Sequence, residues 1–233
     1  MTKSRGPAAN RAKSKGFASK KDSPESPPTR AQTPLEQLTT AKQLFKLNQK
    51  KEAEKIYREI LNQGDRNLEC YYFLGLICGQ SERFKEAITL LNNAIEISPL
   101  TPGVNHNLGM AYHGDKNYKK AVEHFKKELE INPNKKETLV NLGNSLRRLN
   151  LDHEAIQCYL EALPGHPKPA EIHYNIGIAE THRGNRTEAI QRYKKALDLE
   201  PRHKNALQNL GVQYEVSSDY ELAKETLQYL LYL

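Results

Sequence analysis

Histidine and cysteine are the residues of this sequence that could most readily bind a metal or take part in catalysis. His106 and His113 lie seven residues apart and so share a helix face, but no third ligand follows at metal spacing. The cysteines form no Cys-x-x-Cys pair, and their odd number argues against a disulfide framework; they are Cys70, Cys78 and Cys158. No glycine-rich phosphate loop and no nucleophile motif occurs. The sequence therefore predicts no enzyme, no metal and no cofactor.

A different polar side chain recurs at a fixed interval. Four asparagines stand 34 residues apart, each two residues before a glycine: Asn107, Asn141, Asn175 and Asn209. We call these four the groove asparagines. A primary amide offers a hydrogen-bond donor and an acceptor together, the two groups that a peptide backbone must satisfy. They are therefore candidate binding residues, and a repeated element must position them.

The 34-residue interval extends over most of the chain. Each repeat has alanine or glycine at its eighth place, alanine at its twentieth and a large apolar residue at its twenty-fourth. Apolar residues also recur at helical spacing, so each repeat predicts two antiparallel helices that cross at the small eighth and twentieth residues. Asn48, Asn150 and Gly184 suit the left-handed end of a first helix. The repeats occupy 34–67, 68–101, 102–135, 136–169, 170–203 and, incompletely, 204–233.

This pattern resembles that of the tetratricopeptide repeat family, whose signature is a 34-residue helix–turn–helix with small residues at these places. The resemblance covers residues 34–233, and Glu128 departs from it because alanine is usual at its place. It implies an all-α fold, a right-handed solenoid of about twelve helices. It also implies a non-enzymatic scaffold for protein–protein interaction, since helical hairpins use nearly every residue outside the N-terminal segment.

Helix geometry predicts where the asparagines lie. At about 100° per residue, an asparagine two places before the crossing glycine is roughly 200° around the helix, on the side that lines the concave surface of a solenoid. We predict that this groove binds an extended peptide segment, with two arginines tuning its charge preference. The predicted lining is Asn107, Asn141, Asn144, Asn175, Asn209, Arg147, Arg148 and His182. In the competing interpretation, the amides only join neighbouring helices.

The groove asparagines are also similar to those in the tetratricopeptide arrays of O-linked N-acetylglucosamine transferases, at the matching place before Leu-Gly. This resemblance implies an alternative function: a detached or truncated relative of such a glycosyltransferase that serves as its substrate-recognition region. Some arrays hold acidic chaperone tails with a clamp of Lys, Asn and Arg, but this sequence lacks that clamp. The place in question holds Thr39, Phe73 or asparagine, never Lys or Arg.

The formal net charge of +7 comes mostly from the N-terminal segment. Residues 1–33 contain eight Lys and Arg but only Asp22 and Glu25, with abundant Ser, Pro and Ala. This composition predicts a disordered basic tail, either a solubilising segment or a tether to nucleic acid, anionic lipid or an acidic partner. No apolar run is long enough for a membrane span, and no hydrophobic segment follows the basic N-terminus as in a secretory signal. We therefore expect a reduced, cytoplasmic protein.

The last seven residues are unusually apolar. The segment Leu227–Leu233 contains four leucines and two tyrosines, which cannot all face one side of a helix. Exposed patches of this kind usually mark an interface. We expect this end to dock against a second copy of the chain or a partner, or else to be shortened from a longer array.

Overall fold

The computed structural model describes residues 1–2 and 33–231. Every helix described lies in the unit Thr33–Leu233. The predicted disordered tail therefore lies almost wholly outside the described residues, as do the last two residues of the apolar C-terminal segment. The helices are α1 (Pro34–Lys46), α2 (Lys50–Asn62), α3 (Leu68–Gln80), α4 (Phe84–Ile97), α5 (Val104–Gly114), α6 (Tyr118–Ile131), α7 (Lys136–Arg148), α8 (Asp152–Ala162), α9 (Pro169–His182), α10 (Arg186–Leu199), α11 (Lys204–Val216) and α12 (Tyr220–Leu231).

Each repeat is one helical hairpin, as predicted. The second helices begin at residues 50, 84, 118, 152, 186 and 220, at intervals of 34 residues. No strand occurs within residues 33–231, so the all-α solenoid is confirmed. None of the described helices combines the length and apolarity that crossing a membrane requires.

The glycine at the eighth place, present in every repeat but the first, has the large residue at the twenty-fourth place as its nearest neighbour on the facing helix, a contact that the sequence did not single out. A Cβ on Gly143 would lie 2.6 Å from the ring of Tyr159, and one on Gly177 would lie 2.5 Å from that of Tyr193. The alanines at the twentieth place are buried, and the aromatic or leucine side chain occupies the space that a Cβ on the glycine would fill. The two helices of a hairpin can therefore approach closely, because a large side chain of the second helix packs directly against the glycine backbone of the first.

The turn inside each hairpin contains one residue with positive φ. Asn48 and Asn150 both have φ of 61° and Gly184 has φ of 78°, which confirms the three predicted helix ends. The same conformation occurs in the other three hairpins at Glu82, Lys116 and Ser218, whose side chains gave no signal because they do not favour it. The position in the repeat, and not the residue type, imposes this backbone geometry.

Glu128 departs from the repeat pattern for a structural reason. Its carboxylate is fully buried, and the backbone N–H of Gly103 donates to it at 3.0 Å and that of His106 at 3.3 Å. Lys135 Nζ completes the site at 3.0 Å. Gly103 is the residue before α5 and has no side chain to cap that helix. A carboxylate from α6 therefore caps the first helix of its own repeat.

Candidate functional site

The four groove asparagines lie on the first helices of successive repeats, but they differ in their hydrogen bonding. Asn107 Nδ2 donates to the Tyr72 hydroxyl at 3.2 Å and to the Gly103 carbonyl at 2.8 Å. Asn209 lies beside the hydroxyls of Tyr174 and Tyr193, where it opposes the rise in pKa that burial causes in both tyrosines. These two amides fit the interpretation in which asparagine joins neighbouring groups inside the array.

The other two amides lack such a tyrosine. Tyr72 and Tyr174 each lie 35 residues before the asparagine that they meet, at the fifth place of the preceding repeat. For Asn141 that place holds His106, whose Nδ1 is 2.8 Å from Thr138 Oγ1. For Asn175 it holds Val140, which has no polar side-chain atom. Neither asparagine side chain makes a hydrogen bond within the part of the chain that the structure describes.

A cavity of about 280 Å³ opens between α5, α7 and α9, and we call it the arginine pocket. Its walls come from the first helices of three successive repeats. Asn175, only 6% exposed, forms part of the wall. The structure thus brings together four of the predicted residues with two others that the prediction did not include. The lining is Asn144, Arg147, Arg148 and Asn175, with His113 and Glu171.

The two arginines are held in different ways. Arg148 lies over the ring of Tyr118, 5.4 Å from its centroid, and its Nε donates to the Tyr118 hydroxyl at 3.2 Å. This contact fixes the exposed side chain while its terminal N–H groups stay available. Arg147 is half-buried, and its Nε has no partner among the described residues. Nearby, the Tyr159 hydroxyl donates to Asn144 Oδ1 at 2.7 Å, so the amide nitrogen of Asn144 is left for other acceptors.

His113 is neutral in this pocket. Burial lowers its pKa, and Arg148 and Arg147 lower it further. The Ser145 hydroxyl donates its only proton to the Asn141 carbonyl at 2.9 Å, so it must accept from His113 Nδ1, 2.8 Å away. His113 Nε2 is therefore an acceptor. Among the described residues, no three His, Cys, Asp or Glu side chains cluster as metal ligands would.

Two predicted residues lie away from the arginine pocket. Asn107 borders a cavity of about 250 Å³ that is lined by α3, α5 and the first residue of α4, where Leu76, Phe84 and Met110 supply apolar walls. We call this the apolar pocket. His182 lies at the turn side of the array, where its Nδ1 is 3.6 Å from Asp152 Oδ1. It lines a separate cavity with Asn150, Asp152, His153 and Arg183.

Family models match the chain in three segments. Two models described as tetratricopeptide repeat match residues 100–168 and 170–203. The chain belongs to the tetratricopeptide repeat family. Residues 23–94 match a third model, described as anaphase-promoting complex, cyclosome, subunit 3. The comparison with curated protein sequences gave no match.

Solved structures share the fold of this tetratricopeptide repeat protein. Residues 41 to the end of MamA from Desulfovibrio magneticus RS-1 superpose with a TM-score of 0.68 at 22% identity, over 72% of this chain and 95% of MamA. YrrB, described as a TPR protein with an unusual peptide-binding site, has a TM-score of 0.68 at 24% identity, over 75% of this chain and 90% of YrrB. PilF of Pseudomonas aeruginosa has a TM-score of 0.63 at 22% identity, over 70% of this chain and 75% of PilF. At these identities the similarity shows the fold.

Proposed function

We propose that the chain is a non-enzymatic scaffold that holds an extended peptide segment along the inner face of its first helices. The observation that carries this proposal is that the side-chain amides of Asn141 and Asn175 lack internal hydrogen-bond partners, although Asn175 is almost fully buried. YrrB, which shares the fold, is described as having a peptide-binding site.

The amides of Asn141 and Asn175 are not among the fully buried side-chain atoms without a partner, so they reach the surface of the groove. A hydrogen bond formed there contributes about 0.5–1.5 kcal/mol. A peptide backbone lying in the groove would offer both amides an acceptor and a donor, which would favour binding. First helices about 8–10 Å apart would meet an extended strand at about every third residue. The contacts with the amides would therefore depend on the peptide backbone more than on its side chains.

The two pockets would provide side-chain selectivity. Leu76, Phe84 and Met110 would receive an apolar side chain of the ligand, and Met110 is 45% exposed. The arginine pocket, one to two repeats further along, would receive a polar one. Asn107 and Asn209 belong to the same groove, but they should contribute less to affinity because Asn107 already donates to the Tyr72 hydroxyl and Asn209 lies beside those of Tyr174 and Tyr193.

Peptide selection tests the proposal. The full chain is used to select binders from a displayed library of random peptides, and their affinities are measured by fluorescence polarisation. Asn141→Ala with Asn175→Ala should weaken binding about tenfold or more, because two hydrogen bonds of roughly 1 kcal/mol each are lost. The urea midpoint should stay unchanged or rise.

Asn62→Ala with Asn134→Ala is the matched control, because both residues are exposed and make no side-chain hydrogen bond among the described residues. This pair should bind as the wild type does. Failure to enrich any peptide, or equal affinity for the groove variant and the control, would overturn the proposal.

The glycosyltransferase-related alternative rests on the same asparagines. It predicts that the chain takes part in sugar transfer as the substrate-recognition region of a larger enzyme. Calorimetric titration with a sugar nucleotide discriminates, because binding by this chain favours the alternative and no heat of binding leaves the scaffold ahead.

A further inference from the structure

The arginine pocket carries a net positive charge that its internal partners do not cancel. Arg147 and Arg148 contribute two positive charges, and the His113 imidazole is neutral. Glu171 contributes the only carboxylate among the residues that line it. The sum of these formal charges is +1.

Glu171 is already engaged on its other side. His203 Nδ1 accepts the backbone N–H of Ala206 at 3.2 Å, so His203 Nε2 carries the proton of the neutral ring. That Nε2 lies 3.2 Å from Glu171 Oε2 and donates to it. Glu171 is therefore held beside α11, while no carboxylate is within salt-bridge distance of either arginine among the described residues.

The remaining donors line the same pocket and have no hydrogen-bond partner among the described residues. Asn175, with less than a tenth of its surface exposed, has an amide that no described residue satisfies. The amide nitrogen of Asn144 is free because its oxygen is the atom that accepts from Tyr159. Guanidinium groups pair with carboxylates through two parallel hydrogen bonds, and such charge-assisted bonds are about twice as strong as neutral ones. Both cations and both amides thus match one anionic group.

We infer that the arginine pocket binds the carboxylate of an aspartate or glutamate in the bound peptide. Arg147 and Arg148 supply the charge, and the Asn144 and Asn175 amides donate to the same carboxylate or to the adjacent peptide carbonyl. This inference rests on the proposed function, since it names the side chain that the peptide brings. Glu171 makes the pocket suited to a single negative charge, because a doubly charged phosphate would meet a carboxylate in the same wall.

Peptides selected on the full chain test the inference. They should share an acidic residue at one recurrent position, and replacing that residue by its amide should weaken binding to the wild type about tenfold or more. In Arg147→Gln with Arg148→Gln, the acidic peptide should bind about tenfold more weakly. In this variant the same acid-to-amide change in the peptide should weaken binding less than about twofold, because the arginine charges that interact with the acid are gone.

Two controls separate charge at the pocket from charge elsewhere. Lys119→Gln with Lys195→Gln removes two exposed cations that line none of the cavities described above, and affinity should stay within about twofold of the wild type. Arg148→Gln alone, at an exposed side chain, is the second variant in case the double change lowers stability. Its affinity for the acidic peptide should fall at least about threefold while its urea midpoint is kept.

Each failure has a distinct meaning. Selected peptides without a recurrent acid, or an acid-to-amide cost that is equal in the wild type and the arginine variant, would overturn the carboxylate assignment and leave the peptide groove standing. A phosphoserine at the acidic position should bind more weakly than glutamate, and tighter binding would also overturn the assignment. Failure to enrich any peptide would instead overturn the proposed function.

Discussion

Glu128→Ala should destabilise the array, although three other repeats have alanine at the same place. Ala94, Ala162 and Ala196 occupy that place and are fully buried. In the third repeat the glutamate replaces alanine and its carboxylate accepts from two backbone N–H groups at the start of α5, which no other side chain caps. The variant would leave those two donors without a partner.

The magnitude follows from these contacts. A hydrogen bond to a charged group contributes about 1.5–3 kcal/mol net, and losing a helix cap costs about 0.5–2 kcal/mol. Against this, removing the carboxylate also removes the cost of burying it. Lys135 loses its partner at 3.0 Å but can turn to water, since a quarter of its side chain is exposed. We therefore expect a net loss of about 2–4 kcal/mol, which for an array of this size lowers Tm by roughly 5–15 °C.

Urea unfolding followed by circular dichroism measures this effect. Glu123→Ala is the matched control, because Glu123 lies on the same helix and makes an exposed ion pair with Lys127. Such a pair contributes at most about 0.5 kcal/mol. Glu128→Gln should fall between the two, since it keeps one acceptor oxygen. Equal midpoints for Glu128→Ala and Glu123→Ala would refute the capping role, and a more stable Glu128→Ala would show that burial of the carboxylate costs more than its hydrogen bonds contribute.

Three further predictions concern packing, pH and self-association. Gly143→Leu should lower the free energy of unfolding by at least about 1–3 kcal/mol. Gly79→Ala should raise it by up to about 1 kcal/mol, because a Cβ at Gly79 would have its nearest neighbour at 3.9 Å. Equal urea midpoints for the two variants would contradict this. Burial lowers the pKa of His106 to about 4. As pH falls, the unfolded chain therefore binds this proton before the folded chain does, so stability is lost between about pH 6.5 and about pH 4. His106→Gln should flatten the dependence of the urea midpoint on pH in that window. An unchanged dependence would refute the assignment. The exposed Tyr229 and Leu231 should mediate self-association, so replacing both by lysine should abolish concentration-dependent sedimentation, and a wild type that is monomeric at every concentration would tell against it.

The hairpin pattern was predictable from the sequence because it depends on residue size at fixed intervals. Gly143 and Tyr159 recur in equivalent form in most repeats, so the spacing showed that two helices approach closely. Which residue fills the gap was less evident, because the alanine at the twentieth place is equally regular. The cap from Glu128 was visible only as an exception, since its partners are backbone N–H groups 22 and 25 residues earlier in the chain.

The site was predictable only in part, because it depends on residues at different places in neighbouring repeats. The contact between Arg148 and Tyr118 joins the thirteenth place of one repeat to the seventeenth of the repeat before it. At the same two places, Gly114 lies against the ring of Phe84, and His182 lies near Asp152. One pair of places thus holds a cation on an aromatic ring, a glycine under a ring and an acid–base pair. The sequence shows the places, but only the packing shows which residues meet.

The same reasoning distinguishes the asparagines that lie beside tyrosine hydroxyls from those that we propose bind a peptide. Tyr72 lies 35 residues before Asn107 and accepts from its amide. The equivalent residue before Asn175 is Val140, which offers no side-chain acceptor or donor, and the Asn175 side chain lines the arginine pocket. Under the proposed function, we therefore expect recognition to depend most on the fourth and fifth repeats, beside the two arginines, and less on Asn107 and Asn209.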